Sequence, residues 1–368
     1  MRDQNAQQLL AKVMNWQEQA TVLQYTPNLQ LLADYKYDHY QRFGPGKRFI
    51  ESLALWLNQF DASDRPAALD LVTERLVYFS DAEFSHLVQT AYPDVIVPER
   101  IRLVSEEYDI APHRIATIAR HARFNELRVK SLFLGLSDGA RTDELRRASN
   151  GEISNEQIWQ AYELGEDKAQ DMVSELQTTL KKADLNFTNA KFTLIWLLDD
   201  FSGSGNTYIR FDKEQKRFKG KIKKIYDQLH RAALIDPSHY EVFLLLYAAT
   251  RQAIDHIEYW SERFTSENGY KPLQIRVLCP IERDVSLSAG ISSQLANVLN
   301  HEQYCDQRVV DVHFRTGGTG DARWGFAGCA LPLVLAHNTP NNSVYVLWGP
   351  EWCTFSGLFP RVSRHREF

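Results

Sequence analysis

Asp199 and Asp200 stand side by side and are followed, after Phe201, by Ser202-Gly203-Ser204-Gly205-Asn206-Thr207. Adjacent carboxylates suit the vicinal hydroxyls of a sugar, or a magnesium ion held through water. The small, hydroxyl- and amide-bearing residues after them let backbone amides close around a phosphate. The plainer alternative is a capped turn in which Asp200 bonds the amides of the loop. A Walker A phosphate loop is excluded, because no lysine precedes Thr207, and a dinucleotide fingerprint lacks its third glycine.

A second stretch has related character. The apolar run 132–136 ends in Ser137-Asp138-Gly139-Ala140-Arg141-Thr142, and a helical segment starts at residue 143. Strand, polar turn, helix opens a βα unit. The turn reads either as a helix entry capped by Ser137 or Thr142, or as a second anion-binding turn. In the second reading Gly139 permits close backbone approach and Arg141 supplies a charge.

These residues need elements to hold them. The apolar run 194–198 reads as a strand buried on both faces, with the two acids closing it. Side chains alternate along a strand, so Asp199 and Asp200 point to opposite faces. A helix starting near Thr207 would add positive potential at the loop. Further strands are expected at 241–250, at 273–279 nearer the sheet edge, more weakly at 309–314, and as short runs at 331–336 and 344–347. Helices are expected over 153–182 and 286–299. Strands alternating with helices imply one parallel sheet flanked by helices, with ligands bound beyond the carboxyl ends of its strands. Residues 1–127 carry apolar side chains at three- and four-residue steps, which predicts an all-α region. The expected division is therefore a helical region at 1–127 and an α/β domain at 128–368.

Composition narrows the classes. Of 368 residues, 44% are hydrophobic and 24% charged, as in an ordinary globular protein. The net charge of −5 points away from nucleic acid as a bulk partner. A local basic run, Lys213, Lys216, Arg217, Lys219, Lys221, Lys223 and Lys224 around Phe218, leaves two readings. It is a solvated surface or a nucleic-acid or polyphosphate contact. The four cysteines have no metal-ligand spacing and the N-terminus is polar and amphipathic, so reduced thiols and a cytoplasmic location are expected. No apolar run approaches the ~18 residues of a membrane span.

The strand, acid pair and loop ending in Thr207 resemble the phosphoribosyl-pyrophosphate (PRPP) motif of type I phosphoribosyltransferases. Ser204-Gly205-Asn206-Thr207 is closest to the purine-salvage version. The resemblance implies that Asp199 and Asp200 approach the ribose hydroxyls and hold Mg²⁺, and that residues 202–207 take the 5′-phosphate. It also implies that the 137–142 turn, with Ser137, Asp138, Gly139 and Arg141, meets pyrophosphate. Gly203 departs from the pattern, since the purine enzymes place an acid there.

Gly328-Cys329-Ala330-Leu331, the stretch His337-Asn338-Thr339-Pro340-Asn341-Asn342, Trp348 and Leu358-Phe359-Pro360-Arg361 resemble a phosphoribosyltransferase-like family of bacterial anti-phage systems. That resemblance spans roughly 125–361. It implies a defence effector, with other defence proteins as partners and PRPP or a nucleotide as ligand. His337 and Asn338 become candidates for reading a base or sugar, and Trp324 for stacking. A transferase, a glycosidic-bond-cleaving enzyme, a non-catalytic nucleotide sensor and a nucleic-acid-binding subunit all fit this pattern.

Overall fold

The computed structural model describes residues 3–44, 48–161, 166–288 and 290–362. The strands in these residues are β1 (Val77–Phe79), β2 (Ser131–Gly135), β3 (Ile158–Gln160), β4 (Leu194–Ser202), β5 (Arg210–Asp212), β6 (Arg217–Lys219), β7 (Glu241–Thr250), β8 (Leu273–Ile281) and β9 (Leu333–Leu335). Contacts divide the chain into two compact units, one of Phe84–Ile281 and the other of Met1–Glu83 with Glu282–Phe368. The divisions thus fall at 83/84 and 281/282, not at 127/128.

The first of these units is built on a parallel sheet in the order β3-β2-β4-β7-β8. The apolar run of β4 is buried because neighbours flank it on both sides and helices cover both faces. Leu132 and Leu134, Ile195 and Leu197, and Val242, Leu244 and Leu246 form one face of the core. They pack with the helix Glu166–Lys182, the helix Lys221–Arg231 and the helix Arg251–Asn268, which present Met172, Leu176, Ile222, Ile225 and Ile257. On the other face Phe133, Trp196 and Phe243 stack across three strands, with centroids 6.5 and 4.3 Å apart.

The other unit is discontinuous in sequence. Its helices, including Asp3–Val13, Gln19–Tyr35 and Phe49–Leu57, share their core with the C-terminal segment. β1 pairs with β9, the Trp56 indole donates to the Val346 carbonyl at 2.9 Å, and Phe359 sits among Tyr37, Tyr40, Phe43 and Phe49.

Several elements differ from expectation. β4 runs on through both acids to Ser202, because β7 pairs with it that far. Residues 309–314 are not a strand: a turn at Gln307–Val309 leads to the short helix Val312–Arg315, capped by Asp311. Residues 344–347 fall largely in the helix Tyr345–Trp348. The helix expected over 286–299 is confined to Ser293–Asn300, entered at the Ser292 cap. Within 153–182, Ile158–Gln160 is the edge strand β3 and the helix occupies Glu166–Lys182, while 162–165 lie outside the described residues. No helix among the described residues is long and apolar enough to cross a membrane.

Candidate functional site

Sheet order reverses between β2 and β4, since the strand following β2 adds to one side of it and β4 to the other. Ligands of open α/β sheets bind in the crevice beyond the carboxyl ends at such a switch point. The turn after β2 and the loop after β4 both lie there, and they meet at the acid pair.

The two acids face opposite ways, as the strand requires, and their surroundings differ. Asp199 is 2% exposed. Its Oδ1 accepts a hydrogen bond from Ser137 Oγ, and its Oδ2 accepts from Tyr208 OH at 2.7 Å and from Lys221 Nζ at 2.9 Å. Burial pushes the Asp199 carboxyl above its ordinary range, with Lys221 opposing the shift. Burial and the neighbouring Asp199 raise the Tyr208 phenol, so it stays a donor. Asp200 is half-buried on the other side, where its Oδ1 accepts from the Phe201 amide at 2.8 Å. A β-carbon at Gly139 would overlap the Asp200 carboxylate. Glycine there is a condition for the turn and the acid to approach.

The turn after β2 is a short 3-10 segment, Asp138–Ala140. Ser137 caps this segment, accepting from the Gly139 amide at 3.2 Å, whereas the helix Thr142–Ala148 is entered at Arg141 with no side-chain cap. Thr142 makes no capping bond and is buried. The Ala140 carbonyl accepts from Tyr247 OH at 2.9 Å, and Tyr247 on β7 is fully buried. Asp138 is exposed. Arg141 takes a left-handed backbone (φ 46°), and its guanidinium lies 3.4 Å from Glu144 and 5.4 Å from the Phe84 ring.

The loop after β4 is closely held. Gly203 accepts from the Thr250 hydroxyl at 2.6 Å, and Thr250 also caps the helix Arg251–Asn268 through the Ala253 amide. Gly205 has φ 77°, and a β-carbon there would stand 2.9 Å from the Ala253 carbonyl oxygen. Ser202 and Ser204 are buried, Asn206 is half-buried and Thr207 is exposed. Ser202 Oγ is a buried hydroxyl without a hydrogen-bond partner.

No helix starts at Thr207. The hairpin β5–β6 comes first, and the helix Lys221–Arg231 begins only after Gly220. Its leading amides do reach the loop, Lys221 N donating to Thr207 O at 3.1 Å and Ile222 N to Tyr208 O at 3.0 Å. The expected helix-terminal potential is therefore directed at loop carbonyls. The basic run is dispersed by the same hairpin: Lys219 pairs with Asp212, Lys221 with Asp199 and Lys223 with Asp227. Lys213, Lys216, Arg217 and Lys224 are exposed.

His337 and Asn338 belong to the other compact unit. There the Asn338 amide donates to Leu335 O at 3.0 Å and its Oδ1 accepts from Val362 N at 3.3 Å. Trp324, in that unit too, donates to Asn300 Oδ1 at 2.9 Å. The structure thus assembles the 137–142 turn, Asp199, Asp200 and the 202–207 loop within one unit.

Four participants were missed in the sequence: Tyr208, Lys221, Tyr247 and Thr250. Thr250 had a signal, a hydroxyl residue where an apolar run gives way to a helix. Lys221 was hidden inside a charge run, and nothing local singles out the tyrosines.

Magnesium suits part of this site. The ion commonly rests on one or two carboxylates with water and substrate phosphates completing its shell. Asp199 is engaged by three side-chain donors and by the Asp200 amide, and Asp200 is half-buried at the crevice. Among the described residues no cluster of three His, Cys, Asp or Glu side chains forms a separate metal cage.

A parallel sheet carrying an acid pair and a small-residue loop at its switch point defines a phosphoribosyltransferase-like α/β protein. The chain belongs to the PRTase-CE family, whose model matches residues 53–361. The match begins inside the helical region rather than near 125, and so takes in parts of both units. No curated protein and no solved structure matches the chain.

Proposed function

We propose that the crevice beyond β2 and β4 binds the ribose 5-phosphate moiety of PRPP or a nucleotide. The protein then transfers or releases a ribosyl-phosphate group at the anomeric carbon, as a cytoplasmic effector of a bacterial anti-phage system. The observation that carries this reading is the convergence of two small-residue turns on an acid pair at the switch point.

In the transfer direction the bond between the anomeric carbon and pyrophosphate breaks, and its electron pair leaves on the pyrophosphate oxygen. A lone pair of the acceptor forms the new bond, and the acceptor's proton passes to solvent. With a nucleotide as substrate and water as acceptor, the base departs instead. Positive charge develops on the ribose between the two bonds, so catalysis is chiefly orientation and electrostatic stabilisation. Asp200 is placed to orient the ribose hydroxyls, and the loop amides of 203–207 are the phosphate donors. Magnesium, when bound, neutralises phosphate charge, and Asp200 is the residue suited to hold it.

Gly203 favours a second reading. With no acid there to manage a base's proton, the same crevice serves a nucleotide sensor that signals to partner defence proteins. A nucleic-acid role rests on the exposed cations Lys213, Lys216 and Arg217.

Mass spectrometry of a nucleotide pool and PRPP, incubated with the pure protein and Mg²⁺, separates these readings. Consumption of a substrate that is abolished by Asp200→Asn supports the enzyme. Binding without turnover supports the sensor. An absence of both binding and turnover refutes the pocket-based proposal.

A further inference from the structure

We infer that Asp199 is a positioning residue rather than a ligand-touching acid: with Lys221 it forms a buried hub joining the turn, the loop and the helix Lys221–Arg231. This rests on the reading of the crevice proposed above, and it divides between two residues a role that the motif suggests they share.

The geometry is specific. Three segments distant in sequence send one donor each to the same carboxylate: Ser137 from the turn, Tyr208 from the end of the loop, Lys221 from the helix. Both Asp199 oxygens are engaged, and only 3% of the side chain is exposed. Lys221 keeps 29% of its side chain exposed and lies 5.2 Å from the Tyr208 ring centroid. A ligand hydroxyl would have to displace one of these donors to reach Asp199, and would leave that donor or the charge uncompensated.

The hub also replaces an ordinary device. In a strand–loop–helix unit the helix follows the phosphate loop directly. Here the hairpin β5–β6 separates them. The Asp199–Lys221 pair restores the link across the insertion, alongside the amide contacts to Thr207 and Tyr208. Charged groups packed around the pair are Asp200 on the same strand and Lys221 itself, with Tyr208 as the neutral donor between them.

Rescue in a mutant cycle on the full-length chain tests the inference, reading PRPP affinity with Mg²⁺ by calorimetry and folding by thermal melting. Lys221→Met leaves the buried carboxylate facing no cation. It lowers PRPP affinity by about tenfold or more through displacement of the turn and loop. Adding Asp199→Asn removes that charge while retaining an acceptor for Ser137. The double variant recovers affinity to within about threefold of the wild type. A ligand-touching Asp199 gives the opposite result, a double variant at least as weak as Lys221→Met, and this outcome overturns the inference.

If the wild type binds no PRPP, the reading of the crevice fails and the hub is judged by melting alone. Recovery of the Lys221→Met melting temperature by Asp199→Asn then supports the hub, and absence of recovery refutes it. Should Lys221→Met fail to fold, Lys221→Gln replaces it in the same cycle.

Discussion

Gly205→Ala isolates how tightly the phosphate loop is seated. Gly205 has φ 77°, and an added β-carbon would stand 2.9 Å from Ala253 O and 3.0 Å from both His256 Cδ2 and Ile257 Cγ1. The left-handed conformation costs an L-residue about 1–2 kcal/mol. Forcing a methyl group against a backbone carbonyl and a packed isoleucine adds about 1–3 kcal/mol. Gly151 supplies the control, since it has φ 86° and a β-carbon there meets nothing within 4 Å. Gly151→Ala carries the conformational cost alone, and the entropic effect on the unfolded chain is common to both. For a unit of roughly 200 residues, 1 kcal/mol shifts Tm by about 2–4 °C. Gly205→Ala should therefore melt about 2–12 °C below Gly151→Ala by calorimetry or circular dichroism. PRPP affinity should fall for the first variant and not for the second. Equal melting temperatures for the two would refute the seating of the loop on the helix Arg251–Asn268.

Gly139→Ala should lower PRPP affinity by about tenfold or more in calorimetry with little change in Tm, because the added methyl overlaps the Asp200 carboxylate rather than the core. Tyr247→Phe removes the hydroxyl that donates to the Ala140 carbonyl of the turn. It should cost about 1–3 kcal/mol and raise amide exchange at 138–141, measured by hydrogen–deuterium exchange. Burial holds His256 below its ordinary value of 6.5 while its Nε2 contacts Ile209 O at 2.8 Å. Below pH ~6.5 the unfolded chain takes up a proton that the folded chain resists, so stability falls as pH falls. The drop in Tm between pH 7.5 and 5.5 should be smaller in His256→Gln. Phe359→Ala should cost about 3–5 kcal/mol in denaturant titration, since its ring is fully buried among aromatic partners.

The parallel sheet was legible because β2, β4 and β7 are largely uninterrupted apolar runs, and because the acids mark where the apolar run of β4 ends. β3 was not legible: Ile158-Trp159-Gln160 is three half-buried residues at a sheet edge, too short to show a period. The reverse error occurred at 309–314, where apolar Val309, Val310 and Val312 suggested a strand but Asp311 caps a helix turn instead. In the site, the loop and both acids could be read from residue type. What surrounds each acid could not, because Ser137, Tyr208 and Lys221 reach Asp199 from 62, 9 and 22 residues away. The divisions at 83/84 and 281/282 were hidden for a related reason. Helical periodicity is a local signal, whereas Tyr40 finds its acceptors at Phe359 and Pro360, at the other end of the chain.

That discontinuity has a consequence for biosynthesis. The first 83 residues leave the ribosome without the segment that completes their core, which begins only at Glu282. At about 5–20 residues per second, the intervening roughly 200 residues take some 10–40 s to emerge. The sheet-bearing unit can fold in that interval as an insert, while Phe49, Leu53 and Trp56 remain without Phe355 and Phe359. A chain released early would present that apolar helix face to solvent and to chaperones.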